Sequence, residues 1–231
     1  MEEHTGAKSG QRRPGRPKTS LDMDEKILDE AERIFAEHGF SGTTMRMIAN
    51  ASGVNQALIR YYFGSKEALF ERVFQRRGIE MSARRHVLLD EIENRDAPPS
   101  VRELVYAYLL PQWEMKRSGP AGEAFVRLQA RLHTEPQERA FRLRREVYDP
   151  STRRYITALR RALPEVDPQE VSWRMVFAIG AYLYMLSDVD RLNDFSEVTL
   201  PRDDSEALLQ HLVRFIEGGM TVSDLRSEST A

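Results

Sequence analysis

Residues 41–70 read SGTTMRMIANASGVNQALIRYYFGSKEALF, and the spacing inside this stretch decides how the amino-terminal part of the chain folds. Thr43 or Thr44 supplies a side-chain oxygen at the start of a helix whose Met45, Ile48 and Ala49 share one apolar face. Gly53 falls where that helix has to end, and glycine enters the left-handed conformation of a sharp helix exit without a Cβ clash. Val54 can plug the corner, Asn55 can cap a second helix, and Leu58 and Ile59 give that helix a buried side. Ala49, four residues before Gly53, is small enough to let the two helices approach closely. Gly64 breaks the second helix and Ser65 caps a third, whose free amides together with Lys66 make an anion site.

Two short helices joined by such a turn form a helix-turn-helix, whose second helix docks in a DNA major groove with its first turn toward base edges. Asn55, Gln56, Ala57 and Arg60 are the expected readers of sequence. Thr44, Tyr61, Tyr62 and Lys66 are the expected phosphate anchors, and Thr43 and Arg46 belong to the same DNA-facing set.

The run Thr44, Ile48, Ala49, Ser52-Gly53-Val54, Tyr62-Phe63 and Ser65-Lys66-Glu67-Ala68-Leu69 resembles the tetracycline-repressor (TetR) family of bacterial regulators over roughly residues 21–75. Arg60 is a departure, because many members carry tyrosine there. The form NQALIRYYFGSKEALF is similar to a subgroup that includes the fatty-acid-responsive PsrA-type regulators, as are the later AFVRLQARLHTEP and LRRALPEV stretches. The resemblance implies an all-α homodimer, a double-stranded DNA operator with two half-sites, and a small-molecule effector that releases the protein from it. Repression is the expected mode, with activation left open, and a fatty acyl or aromatic compound is the effector class to test first.

Composition agrees with this reading. The 231 residues are 41% hydrophobic and 30% charged, as in a soluble globular chain with a sizeable core. There is no cysteine, so disulfides and thiolate metal sites are excluded. No apolar run approaches the roughly 20 residues that span a bilayer, and the polar start lacks a signal peptide's apolar region, so a cytoplasmic, membrane-free location is expected. The net charge is −2, but its distribution is uneven. Residues 40–77 carry six basic residues against Glu67 and Glu71, whereas the part after Gly78 holds 21 basic and 25 acidic residues. Only the amino-terminal part suits phosphate.

The segment QRRPGRPKTS, residues 11–20, has too little apolar surface to fold and four cations without an acid, which describes a disordered basic arm over residues 1–20. Arg13 or Arg16, held extended by Pro14 and Pro17, suits the narrow, negative minor groove. A solvated tail adding nonspecific attraction is the other reading.

Elsewhere the periodicity is helical, with no convincing strand. Leu21–His38 places Ile27, Leu28, Ala31, Ile34 and Phe35 on one face and stops at Gly39. The helix from Ser65 is expected to run to about Asn94, with Gly78 as a possible bend. Pro111 is expected to interrupt the helix from Ser100; Glu123–His133 forms the next, and a single helix follows to about Leu163. Val171–Leu186 and Asp204–Ile216 complete about nine helices. The implied organisation is a basic arm (1–20), a helix-turn-helix domain (21–77), a helical effector-binding and dimerisation domain (78–220) and a flexible tail (221–231).

Val171–Leu186 is apolar nearly all round, so it needs cover that one protomer is not certain to supply. With the Leu208, Leu209, Leu212, Val213 and Ile216 stripe of the last helix it can form a four-helix contact across a two-fold axis, or pack within one chain. An effector pocket is expected between residues 100 and 186, with Tyr106, Trp113, Phe125, Trp173 and Phe177 as wall candidates and Arg127 and Arg131 as partners for an acidic group. Tyr108, Tyr148, Tyr155, Tyr182 and Tyr184 offer further aromatic surface, most of it for the core. Five scattered histidines show no ligand spacing, so neither an enzyme nor a metal site nor a cofactor is expected. An effector-independent architectural or interaction protein is the stronger rival to a ligand-responsive regulator.

Overall fold

The computed structural model describes residues 20–134, 138–186 and 205–222, and among these the chain is all-helical. The basic arm, with Arg13 and Arg16, and the tail beyond Val222 lie outside the described residues.

Helix α1 (Ser20–Gly42) turns sharply at Gly39, whose φ of 70° is the left-handed conformation expected there. Its Ile27, Ala31, Ile34 and Phe35 are buried. Helices α2 (Met45–Ser52) and α3 (Gln56–Phe63) form the tight pair, and α4 (Lys66–Glu93) leads away from it. At about 1.5 Å per residue, α4 is some 40 Å long. Its inward register, Leu69, Val73, Phe74, Met81, Arg85, Leu89 and Ile92, packs first on α1 and then on the body helices α5, α7 and α8. The remaining helices are α5 (Val101–Arg117), α6 (Pro120–Thr134), α7 (Glu138–Val147), α8 (Asp149–Ala162), α9 (Pro168–Leu186) and α10 (Ser205–Thr221).

Three expectations change. Helix α4 is unbroken through Gly78, which is a packing slot: a Cβ there would lie 2.2 Å from Val147 Cγ1 and 3.0 Å from Tyr148 Oη. This is the helix expected to run from Ser65 to about Asn94, leading out of the helix-turn-helix segment. Pro111 sits within α5, where a buried position and tertiary packing hold the helix together despite the missing N–H. The stretch up to Leu163 is two helices, because Pro150 cannot continue α7 and instead occupies the first turn of α8. The described residues contain ten helices, in keeping with the about nine expected.

Two devices join the head to the body. A ladder of rings runs from Phe35 to Phe70 (5.0 Å between centroids), Phe70 to Phe74 (4.9 Å) and Phe74 to Phe125 (5.7 Å), crossing from α1 through α4 to α6. Fully buried Glu32 of α1 accepts from Arg76 (2.9 Å) and Arg77 (3.1 Å) of α4, and Arg76 also reaches Glu25 and Asp29. Losing one partner of a buried ion group leaves the other uncompensated, so these contacts hold α1 and α4 in one arrangement. At the other end, buried Arg174 of α9 donates to the Met220 and Val222 carbonyls, both at 2.8 Å, closing the carboxyl end of α10.

Candidate nucleic-acid interface and effector cavity

The turn is built as its sequence predicts. Thr44 is the cap of α2, its hydroxyl accepting from the Met47 amide at 3.2 Å and keeping its own hydrogen to donate. Gly53 takes φ 66°, ψ 32°, and the Val54 amide closes on Ala49 O at 3.0 Å. Asn55 Oδ1 accepts from the Leu58 amide at 2.7 Å. That bond uses one lone pair of the oxygen and leaves the two amide hydrogens of exposed Asn55 as donors. Ser65 caps α4, accepting from the Ala68 amide at 3.1 Å.

Outward from this frame, Asn55, Ala57, Arg60 and Tyr61 are exposed, and 57, 60, 61 and 64 follow one helical stripe opposite buried Ile59. Tyr61 is 82% exposed, with its ring 5.4 Å from that of half-buried Tyr62. Thr44 and Arg46 are exposed beside them, and Gln56 is half-buried.

Two of the expected contacts face inward. Thr43 is fully buried, its hydroxyl donating to Gly39 O at 2.7 Å and Ile34 O at 3.3 Å, so of the two threonines it closes α1 while Thr44 starts α2. Lys66 Nζ donates to the carbonyls of Phe40 and Thr43, each at 2.9 Å, and lies 4.3 Å from the centre of the Phe40 ring. Its charge braces the carboxyl end of α1 against α4, where a cation meets unsatisfied carbonyls.

In the body, a cavity of about 390 Å³ lies between α5, α7, α8 and α9. Tyr108, Ile179 and Tyr182 form its inner side, Tyr148 and Thr152 its flank, and Phe141, Arg144, Arg145 and Asp149 the rest. Tyr108 Oη and Thr152 Oγ1 are 3.0 Å apart, and Thr152 donates its own hydrogen to Tyr148 O, so Tyr108 is the donor to Thr152.

None of the seven residues named for the pocket lines this cavity, whereas Tyr108, Tyr148 and Tyr182 of the wider aromatic set do. Trp113 and Phe125 are buried in the core, and Tyr106 is half-buried. Arg127 pairs with Glu123 at 3.0 Å, and Arg131 donates to Glu37 O at 3.4 Å, bridging α6 to α1. Trp173 and Phe177 face outward, 53% and 65% exposed and stacked 6.1 Å apart. A helix apolar on every side fills the core with one face and presents the other, and only the tertiary arrangement decides which. Arg85, missed at first, is fully buried behind the cavity's inner wall. Its signal was readable as a lone cation in the inward register Met81, Arg85, Leu89.

Two family models match the chain: "Bacterial regulatory proteins, tetR family" over residues 27–80 and "Tetracyclin repressor-like, C-terminal domain" over residues 106–219. Among curated proteins, the HTH-type transcriptional repressor AcnR of Corynebacterium efficiens is 46% identical over 46 residues, 20% of this chain and 24% of AcnR. IcaR of Staphylococcus aureus, a negative transcriptional regulator of the biofilm operon icaADBC, is 38% identical over 50 residues, 22% of this chain and 27% of IcaR. The matches thus span only about a quarter of these relatives' length. Solved structures agree over nearly the whole fold. A TetR-family transcriptional regulator from Bordetella parapertussis has TM-score 0.64 at 16% identity, covering 90% of this chain and 99% of that one. The fatty acid degradation regulator FadR from Bacillus halodurans has TM-score 0.62 at 17% identity, covering 88% and 98%. FadR from Bacillus subtilis, solved with stearoyl-CoA, has TM-score 0.61 at 15% identity, covering 84% and 98%. The two family models between them cover more than two thirds of the sequence and meet the head and the body described above, so the chain belongs to the TetR family of bacterial transcriptional regulators.

Proposed function

We propose that the protein is a dimeric repressor that binds a palindromic operator through residues 21–77 and leaves it when a small molecule enters the body formed by residues 78–220. The observation that carries this reading is the exposed set Ala57, Arg60 and Tyr61 on α3, together with Asn55, whose side chain caps and fixes the start of that helix. An α-helix with its side chains is about 10–12 Å across, so α3 fits a major groove about 12 Å wide. Arg60 supplies the donor fork that matches guanine O6 and N7. Thr44, Arg46 and Tyr61 flank it as donors to phosphate. Thr43 and Lys66 shape this surface from within.

The stripe Trp173, Val176, Phe177, Gly180 and Tyr184 of α9, with exposed Phe215 of α10 and Val222 just beyond its end, supports the dimer. These positions follow helical spacing and leave a large apolar face uncovered, which in a soluble protein marks an interface. A second copy on this face completes a four-helix contact and sets two α3 helices about 34 Å apart, one per half-site.

The cavity favours an effector-responsive regulator over an architectural one. Tyr148 forms its flank and also fits against Gly78 of α4, so an occupant that displaces Tyr148 pushes on the helix that carries the head. Release then amounts to a population shift, and the coupling equals the effector's preference for the spread arrangement. The FadR neighbours and the PsrA-type sequence likeness support acyl compounds as first effectors to test. No described helix is long and apolar enough to cross a membrane, which fits a protein working on cytoplasmic DNA.

Selection of duplexes from a random pool tests the proposal. A two-fold symmetric sequence is expected, with Arg60→Ala costing about 1–3 kcal/mol and relaxing preference at one position of each half-site. Equal binding of all duplexes at physiological salt would overturn it.

A further inference from the structure

Arg85 is the most unusual group in the body. It is fully buried, yet among the described residues no carboxylate pairs with it. Its Nε donates to Tyr108 O at 2.9 Å and its Nη2 to Tyr182 Oη at 3.4 Å, its guanidinium carbon lies 3.8 Å from the centre of the Tyr108 ring, and Nη1 has no partner. Tyr155 Oη meanwhile donates to the Arg85 backbone carbonyl at 3.0 Å. Burial pushes the hydroxyls of Tyr108, Tyr148 and Tyr155 far above their ordinary range, so they face the cation as neutral groups. A carbonyl and an aromatic face offset only part of the cost of burying a full charge.

Two of the groups that hold Arg85, Tyr108 and Tyr182, are also the inner wall of the cavity. Tyr182 Oη accepts from the guanidinium and shares a hydrogen bond with the Tyr108 hydroxyl, so a ligand acceptor there competes with Tyr108 for a hydrogen that the neighbouring cation makes a strengthened donor. One turn along α5 from Tyr108, the side-chain amide of fully buried Gln112 has no partner on either its oxygen or its nitrogen. Polar capacity on this side of the body therefore exceeds what the fold itself uses. Arg144 and Arg145 outnumber Asp149 on the cavity's other side. Phe141 and Ile179 supply apolar lining, and the volume falls at the small end of the roughly 300–1,000 Å³ of ligand sites.

We infer that the effector is a small organic carboxylate with an apolar body, its acid group accepting from Tyr182 Oη and drawn by the Arg85 charge behind it. This rests on the effector-responsive reading above and narrows it. The pairing gives the buried guanidinium the counter-charge the protein lacks.

The test is calorimetric titration of the full chain with octanoate, decanoate and 4-phenylbutyrate, each beside its neutral partner octanamide, decanamide or 4-phenylbutanol. At least one acid is expected to bind tenfold or more tighter than its neutral partner. Arg85→Met is expected to lose that preference while melting no lower than wild type, since it removes an uncompensated charge. Should Arg85→Met fold poorly, Tyr182→Phe, which deletes one hydroxyl, is expected to weaken the acid by about tenfold and the amide or alcohol, whose bond to that hydroxyl is uncharged, by distinctly less. Equal binding of acids and neutral partners, an undiminished preference in both variants, or no binding of any acid would each overturn the inference. Neutral compounds that bind and release the selected operator would leave the effector reading standing while this one falls. Acid binding that never alters operator affinity would instead remove the effector reading and keep the site.

Discussion

Gly78→Ala separates two accounts of α4. In an exposed helix interior this substitution stabilises by about 1 kcal/mol, because alanine gives up less backbone entropy than glycine. Here the new Cβ would stand 2.2 Å from Val147 Cγ1 and 3.0 Å from Tyr148 Oη. Carbon atoms pack at about 3.5–4.0 Å, so Val147 must retreat by more than an ångström inside a buried contact. Overpacking of that kind costs about 1–3 kcal/mol, and the size of the overlap places this case in the upper half. Against the propensity gain, a net loss of about 1–2 kcal/mol remains, or roughly 2–8 °C in melting temperature for a chain of this size. Urea unfolding of wild type, Gly78→Ala, Val147→Ala and the double variant measures it. Val147→Ala removes the colliding methyl group, so the two changes should couple by about 1 kcal/mol or more in the cycle. If Gly78→Ala raised stability by the full propensity gain, with no coupling to Val147, the slot would carry no close packing. The route from cavity to DNA head through Tyr148 would then lose its physical basis.

Phe177→Glu replaces an exposed apolar side chain on the proposed two-fold face with a charge. Burial of such a side chain is worth about 1.5–3 kcal/mol and counts twice across a symmetric interface, so the dimer dissociation constant should rise about 100-fold or more, read by sedimentation with operator affinity falling alongside. An unchanged dimer would exclude this face. At the start of α5, the Ser100 backbone N–H and then its hydroxyl hold the Glu103 carboxyl below its ordinary range, with Arg95 adding to it. A depressed acid stabilises the fold above its unfolded-state pKa and loses that contribution as pH falls through the folded value. Glu103→Gln should therefore cost about 0.5 kcal/mol at neutral pH and nothing at pH low enough to protonate the carboxyl, as followed by urea midpoints.

The helix-turn-helix was legible in full because each of its determinants acts over three or four residues. Thr44, Gly53, Asn55, Gly64 and Ser65 set caps and exits through contacts within one turn, and the apolar spacing of α1 and α4 placed their inner faces. Sequence also narrowed the α2 cap to two threonines. The choice between them required Gly39 and Ile34 to be brought beside Thr43.

The cavity was not legible, for the opposite reason. Its walls come from residues 108, 141–152 and 179–182 on four helices, and Arg85 stands behind them on a fifth. Aromatic content between residues 100 and 186 signalled a body able to hold a ligand, but not which rings would turn inward. Trp173 and Phe177 share α9 with Tyr182, yet they lie on its opposite side. The sequence by itself determined the local geometry of the DNA head and the inner faces of α1 and α4, because steric and hydrogen-bonding rules of short range are written within a turn. Tertiary structure alone decided which face of α9 stays open, that Gly78 receives Val147 and Tyr148, and that a lone arginine on α4 ends up behind a wall of tyrosines. Those outcomes depend on helices meeting across long sequence separations, where packing rather than propensity selects the neighbours.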